Sequence, residues 1–585
     1  MQNQGKKGII LLILCIGAFL CMLDTTIMTI TIPKIQDAFN IGLNQVSWAI
    51  NLYTIVFSSI TLLMARIAEI YGKNRFMLLG FTLFGVGSLV SGLSTTLLIL
   101  FIGRIVQSIG AALILPLASI IGLSSVSIDK RNKIVALIGG VSGLAAAIGP
   151  TIGGLVTEYL GWRWVFFINV PLIVIVIIVF LIALPLEKSK EQGIKSQKFD
   201  FFGAILSIVM MFSFTLALIK GKDWGWNSFS IVSLLFLSLI SLILFIFNER
   251  KFSYPMIDTK LFSSHNFVGA ALILLFCNFL LGGFVILIPT YLVKIEGLTE
   301  LQAALMILPY SITVLIATVG SSLLMKKINS KFLLLFGFIF IFSSYVLLGK
   351  LYTDWQEKLT YASILLGIGY GIIAGPSVVI AASDFTGKQL TTSQSVTNVL
   401  RQVGLVISIA ICMSLLSSNM ITARTNITNY ADSKIDRSDL PNNIKSKMKH
   451  KINSNVEASA SQNSSNKLNQ NTINLNKIKV TKAQRDSIIE NNLVNLLAKK
   501  GVSLDKMPIG QQKLLRQQIA KKVNKEIDHK EIIIKKTISQ LIRKIHRISI
   551  HEIKSAFLNI YVTISYFIIL GLIPIVFLKK QKSSN

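Results

Sequence analysis

Charge is scarce in this chain of 585 residues: 15% are Asp, Glu, Lys or Arg, against the roughly 25% of a soluble globular domain. With 52% hydrophobic residues and a mean hydropathy of +0.65, that scarcity excludes a soluble enzyme. Cysteine is limited to Cys15, Cys21, Cys277 and Cys412, each inside an apolar block and none at CxxC or metal-like spacing. This argues against a disulfide scaffold and a zinc site. The length would hold three or four ordinary domains, yet no alternation of strands and helices fills them. There is no P-loop either, so nothing points to nucleotide hydrolysis.

What is there is a series of long apolar blocks. A helix needs about 20 mostly apolar residues to cross roughly 30 Å of hydrocarbon. Fourteen stretches qualify, near 9–32, 45–64, 76–93, 97–119, 134–156, 164–185, 202–219, 229–247, 267–290, 301–324, 332–349, 359–382, 395–416 and 557–578. The first follows Lys6 and Lys7 but runs on for 24 residues without a small-residue cleavage site, and so reads as a retained helix. The reading is an all-α polytopic membrane protein with 14 transmembrane helices. Short loops on the N-terminal side and the tails carry 22 Lys and Arg, against seven in the short loops opposite. Positive loops stay inside, so both termini are expected in the cytoplasm of a cell-membrane protein.

One segment differs. Residues 418–556, between spans 13 and 14, are polar and by parity face outward, with 27 Lys and Arg against 11 Asp and Glu. Long loops are exempt from the charge rule, so the topology stands. Residues 459–476 are Asn/Ser/Gln-rich and read as a flexible linker. From Thr481 to Ser555, apolar residues such as Leu493, Leu497, Ile519, Val523, Ile538, Leu541 and Ile545 recur at three-to-four spacing. That pattern predicts an amphipathic helical hairpin leading into span 14. The segment has three readings: a solvated insert, a surface for anionic lipid or envelope polymer, or a docking hairpin or lid. Nucleic acid is disfavoured, because aromatics are nearly absent between Tyr430 and Phe557.

Ionisable groups inside a span are costly and mark function by default. Asp24 in span 1, Arg104 in span 4 and Arg401 in span 13 lie well inside. At about 1.5 Å per residue, Asp24 and Arg104 fall at matching depth, about 5–6 Å beyond the midplane on the outer side. One reading is a proton switch, in which the carboxylate exchanges its arginine for a proton and biases a two-state helix arrangement. The other is a static ion pair fixing helix packing. Arg401, nearer the inner side, reads either as functional or as an interfacial anchor. Span 5 carries GGVSGLAAAIGPTIGG (Gly139 to Gly154), whose small residues allow close helix approach and whose Pro150 removes a backbone donor. Spacing alone does not separate a rocking seam from ordinary close packing.

Six segments together resemble the fourteen-helix drug:proton antiporter branch (EmrB/QacA type) of the major facilitator superfamily. They are MLDTTIMTITIP (Met22 to Pro33), ARIAEIYGKNR (Ala65 to Arg75), FIGRIVQSIGAA (Phe101 to Ala112), AAAIGPTIGG (Ala145 to Gly154), WRWVFFINVP (Trp162 to Pro171) and LRQVG (Leu400 to Gly404). The resemblance covers about 1–417 and 557–578. It implies proton coupling at Asp24 and Arg104, a conformational loop motif at Ala65, Glu69, Gly72 and Arg75, and a span-4 motif at Arg104, Gln107 and Gly110. It further implies an antiporter motif at Ala145, Gly149, Pro150, Gly153 and Gly154, and a span-13 motif at Arg401, Gln402 and Gly404. Ala65, Ser108 and Ala145 stand where the family usually has Gly, and Glu69 where it usually has Asp.

The implied architecture is 6+2+6. An N-terminal six-helix bundle spans 1–185 and a linker pair 199–247. The C-terminal bundle comprises 266–417 and 557–578, with a long outer loop at 418–556 and a cytoplasmic tail at 579–585. The implied activity is export of hydrophobic or amphipathic compounds by alternating access, with no cofactor and the proton gradient as drive. Acids deep in spans 9–14, which some multidrug members carry, are missing here, which weakens an expectation of dicationic substrates. Two alternatives stay open: an exporter or flippase of lipid-like envelope molecules, and a non-transporting sensor that uses its basic outer loop.

Overall fold

The computed structural model describes residues 2–41, 43–126, 131–183, 199–252, 255–325, 327–352, 354–461, 482–499 and 508–578. Among them every regular element is helical. The order is α1 (Gln2–Phe39), α2 (Leu43–Tyr71), α3 (Lys73–Gly92), α4 (Leu97–Ser124), α5 (Arg131–Tyr159), α6 (Trp164–Phe167), α7 (Asn169–Ala183), α8 (Phe201–Trp224) and α9 (Phe229–Lys251). A short 3₁₀ turn, Thr259–Ser263, precedes α10 (His265–Lys294), α11 (Glu300–Leu324), α12 (Ser330–Leu348) and α13 (Trp355–Ser383). The remainder is α14 (Gly387–Asp436), α15 (Asn442–Ser461), α16 (Lys482–Lys499) and α17 (Ile509–Phe577).

Local chemistry sets many of the starts. Thr96, Asp200, Ser228 and Ser264 each accept a backbone N–H three residues on, and Thr299 with Gln302 closes a reciprocal capping box. Thirteen helices among the described residues are long and apolar enough to cross a membrane. The fifth stretch read from the sequence, 134–156, coincides with α5, several of whose side chains lie outside the described residues. Large apolar side chains remain uncovered on these helices: Phe236 is 63% exposed and Ile182 79%. In water that would be a liability; against lipid it is the ordinary outer face of a span.

The chain divides into two compact units, Met1–Ser417 with Phe557–Asn585, and Ser418–Ala556. In the first, α1–α4 and α7 share a core that includes Leu20, Phe81, Phe84, Leu117 and Phe180. A second, larger core joins α10–α14 to the last part of α17. There Tyr561 packs on Tyr345 with ring centroids 5.5 Å apart, and its hydroxyl donates to the Gly283 carbonyl at 3.3 Å. The pair α8–α9 is tied together by Ser238, which donates to the Met210 carbonyl, and meets α2 through the Ser58 and Thr215 hydroxyls, 3.0 Å apart.

The second unit is helical too. Ile489, Leu493 and Leu497 of α16 pack on Ile519, Val523 and Ile527 of α17. Further along α17, Ile538, Leu541 and Ile545 meet Ile427, Ala431 and Ile435 of α14 and Met448 and Ile452 of α15. The continuation of α14 to Asp436 and the whole of α15 have no counterpart in the sequence reading. Span 13 supplied no stop signal, and the apolar positions of α15 are too few to show a period. Of the linker read over 459–476, everything beyond Ser461 lies outside the described residues, as do the basic stretch 188–198 and the tail 579–585.

Candidate functional site

The middle of the first bundle buries a charge pair where α1 and α4 meet. Arg104 Nη1 donates to Asp24 Oδ2 at 2.5 Å, and both side chains are essentially inaccessible. The same Nη1 donates to Gln107 Oε1 at 2.7 Å, and Nε donates to the Ala49 carbonyl of α2 at 3.1 Å. Gln107 Nε2 in turn donates to the other carboxylate oxygen, Asp24 Oδ1, at 2.7 Å and to Ser88 Oγ of α3 at 2.8 Å. Asn169 Nδ2 of α7 reaches the same Ser88 oxygen at 3.5 Å. The guanidinium carbon lies 4.3 Å from the centroid of the Tyr53 ring and 5.9 Å from that of Phe166, so two aromatic faces cover the cation.

This geometry has a chemical consequence. Both carboxylate oxygens of Asp24 already accept from N–H donors, Oδ2 from Arg104 and Oδ1 from Gln107. A proton on either oxygen would remove the negative charge that faces Arg104 and take up one of the lone pairs that remain. Protonation of Asp24 therefore weakens its hold on both Arg104 and Gln107.

The seam between α5 and α1 abuts this cluster. Gly149 lies so close to Thr26 that any Cβ would collide with its hydroxyl, and a Cβ at Gly153 would meet the Ile27 side chain and carbonyl. Thr26 and Ile27 follow Asp24 by two and three residues, so the seam and the carboxylate ride on the same turn of α1. Ala145 and Gly154 are buried on α5, while the Pro150 side chain lies outside the described residues. On its other side α5 meets α11, where Gly140 approaches Leu315. Gly149→Val should therefore cut transport by about tenfold or more and lower the unfolding temperature, through overpacking that typically costs 1–3 kcal/mol. Gly320→Val, at a glycine with nothing within 4 Å, should change neither. Transport in vesicles and a thermal melt of both variants would check the pair.

The remaining motif residues form separate places. At the end of α2, Ala65 is buried and Glu69 pairs with Arg66 at 2.5 Å. Gly72 then adopts φ +114°, a left-handed conformation that costs glycine nothing, and begins α3. Arg75 is exposed one turn later. Gly110 of α4 packs against α3 beside Phe84, and Gly404 of α14 against α10 beside Leu275. Arg401 and Gln402 are half-buried, and Arg401 lies near the Tyr370 side chain. The Tyr370 hydroxyl donates to Asn278 Oδ1 at 3.3 Å. None of these joins the Asp24 cluster.

Sequence reasoning did not name Tyr53, Ser88, Asn169 or the Ala49 carbonyl. Asn169 carried a signal, a lone amide in the apolar run VFFINVPLIVIV. Ser88 carried none, since serines are common in these helices.

Comparison with known proteins adds to this geometry. Residues 14–409 match the family model described as Major Facilitator Superfamily. The chain is 28% identical over 437 residues to the multidrug transporter protein MdtP of Bacillus subtilis, covering 74% of this chain and 79% of that one. It is 30% identical over 377 residues to the riboflavin transporter RibZ of Clostridioides difficile, covering 64% and 80% respectively. Among solved structures it resembles the human organic anion transporter MFSD10, with a TM-score of 0.52 at 13% identity over 70% of this chain and 93% of that chain. That last likeness concerns the fold alone.

Proposed function

Since the chain belongs to the major facilitator superfamily, a family of transporters and not of enzymes, we propose that it is a proton-coupled antiporter of the fourteen-helix EmrB/QacA type. It exports amphipathic compounds, drugs among them, by alternating access across the cell membrane. Both termini lie in the cytoplasm and residues 418–556 lie outside. The observation that carries this reading is the buried Asp24–Arg104–Gln107 cluster, in which a proton and the arginine compete for one carboxylate. A purely structural contact could be made more cheaply by apolar side chains. The seam of α5 on Thr26 and Ile27 supplies a route from that competition to helix movement. In the cycle, Asp24 takes a proton from outside as Arg104 withdraws, the bundles rock about a central cavity, and the proton leaves inward while the substrate has left outward. No cofactor or nucleotide enters; the electrical part of the gradient contributes about 2.3 kcal/mol per charge per 100 mV.

The similarity to MdtP supports drugs as substrates, and that to RibZ supports planar, polar-edged molecules. Among the described residues, the buried ionised side chains of α10–α14 within the first unit include no acid, and Arg401, Tyr370 and Asn278 lie together there. This favours neutral or anionic amphipaths over dications. Everted vesicles containing the protein, offered a dye panel from the medium, would test the reading: dye accumulation should require a proton gradient and each dye should elicit proton efflux from the lumen. Accumulation that survives collapse of the gradient would overturn it.

A further inference from the structure

The second unit, taken by itself, has a feature that export does not use. Along α17, Lys522, Lys525, His529, Lys536, Arg543 and Arg547 are all exposed. Their spacings of 3, 4, 7, 7 and 4 residues place them within about 60° of one another around the helix and along about 38 Å of its axis. The opposite side of α17 is already occupied, with Ile519, Val523 and Ile527 against α16 and Ile538, Leu541 and Ile545 against α14 and α15.

Three of the four acids of α17 are engaged by other helices. Asp528 and Glu531 both accept from Arg485 of α16, at 2.8 and 3.1 Å, and Glu552 accepts from Asn426 of α14 at 2.9 Å. Glu526 alone flanks the row. Among the described residues, Lys522, Lys525, Lys536, Arg543 and Arg547 enter no ion pair. Asp528 and Glu531 are thus neutralised within the unit, and the row faces solvent with the exposed Lys521, Lys530 and Lys544 on its flanks.

We propose that this row binds a linear polyanion, a polymer bearing phosphate at each repeat, laid along α17. A cationic strip about 38 Å long matches an extended chain of charges better than a compact acidic surface. The two arginines at its C-terminal end, Arg543 and Arg547, suit phosphate oxygens, which they can engage bidentately. A membrane surface is the poorer fit, because a helix lying in the headgroup region inserts its wide apolar face. Here that face is taken, and only Ile532, Ile533 and Ile550 are left exposed beside the row. Base recognition is absent as well, since no aromatic stands between Tyr430 and Phe557 to stack on.

The test uses the full-length protein in phosphatidylcholine nanodiscs, titrated with fluorescent long-chain polyphosphate. Binding should be seen, and should weaken steeply as salt is raised from about 50 to about 200 mM. The triple variant Lys536→Gln, Arg543→Gln, Arg547→Gln should weaken it by about tenfold or more. A control triple with the same loss of charge, Lys447→Gln, Lys451→Gln, Lys513→Gln, lies off the row and should change it by less than about twofold. Equal losses in the two triples would mean that net charge alone attracts the polymer, and the site assignment would be wrong. Absence of polyphosphate binding, with phosphatidylglycerol vesicles captured through the same three residues, would overturn it in favour of a membrane surface.

Discussion

Asp24→Asn should reduce gradient-driven efflux to the level of vesicles that lack the protein, while the variant remains folded and inserted. An asparagine cannot take up the proton, so the gradient no longer distinguishes the two conformations and can drive nothing. Its amide oxygen can still accept a hydrogen bond from Arg104, at the loss of the acceptor that Gln107 Nε2 uses, and the guanidinium keeps the Ala49 carbonyl and the Tyr53 ring as partners. The cation is therefore not stranded. Exchange of labelled for unlabelled substrate without a gradient should persist, because the cavity is intact. Two measurements separate the outcomes: substrate-elicited proton movement, expected to vanish, and counterflow, expected to survive. If the asparagine variant pumps at the normal rate against a gradient, the carboxyl of Asp24 is not the coupling group.

Arg104→Met should be the most destabilising single change in this cluster. It leaves Asp24, wholly buried, with Gln107 Nε2 as its sole remaining donor among those described. Removing one member of a buried pair typically costs about 3–5 kcal/mol. The double variant Asp24→Asn, Arg104→Met removes both charges and leaves a neutral amide beside a thioether, so it should regain more than half of the lost stability. It should regain none of the coupled transport. Thermal melts of the two singles and the double in one detergent give the interaction directly. Additive destabilisation would show that the two side chains do not act as a pair in the folded protein.

These predictions rest on residues that differ in how visible they are in the sequence. Asp24 and Arg104 stand out because a charge in an apolar span is rare, and the rise of a helix is enough to bring them to one depth. Gln107 is visible only through the motif that it shares with Arg104. Ser88 and Tyr53 are invisible, since Ser and Tyr occur throughout these helices and nothing in a one-dimensional pattern says which of them face one another. The same holds for Gly149: the run of small residues announces close packing, but only coordinates show that the neighbour is Thr26, two residues from the carboxylate. In the second unit the apolar period of α16 and α17 is legible, whereas α15 and the long continuation of α14 are not. Their helicity depends on a shared core with α17 that comes together across a hundred residues of chain.

By itself, then, the sequence determined that the protein is all-helical and many times membrane-spanning, where its spans fall, and which two charges lie buried at one level. Those follow from the length and apolarity of each block, which are local quantities. Only the tertiary structure decided how the charges are satisfied, that both oxygens of Asp24 are held at once, and that Asp528 and Glu531 of α17 pair with Arg485 while the cations of that helix face out. A span that is apolar around most of its circumference carries no record of which side meets a neighbour. That choice is made by packing between helices distant in sequence, where small side chains admit close approach and buried donors must find acceptors.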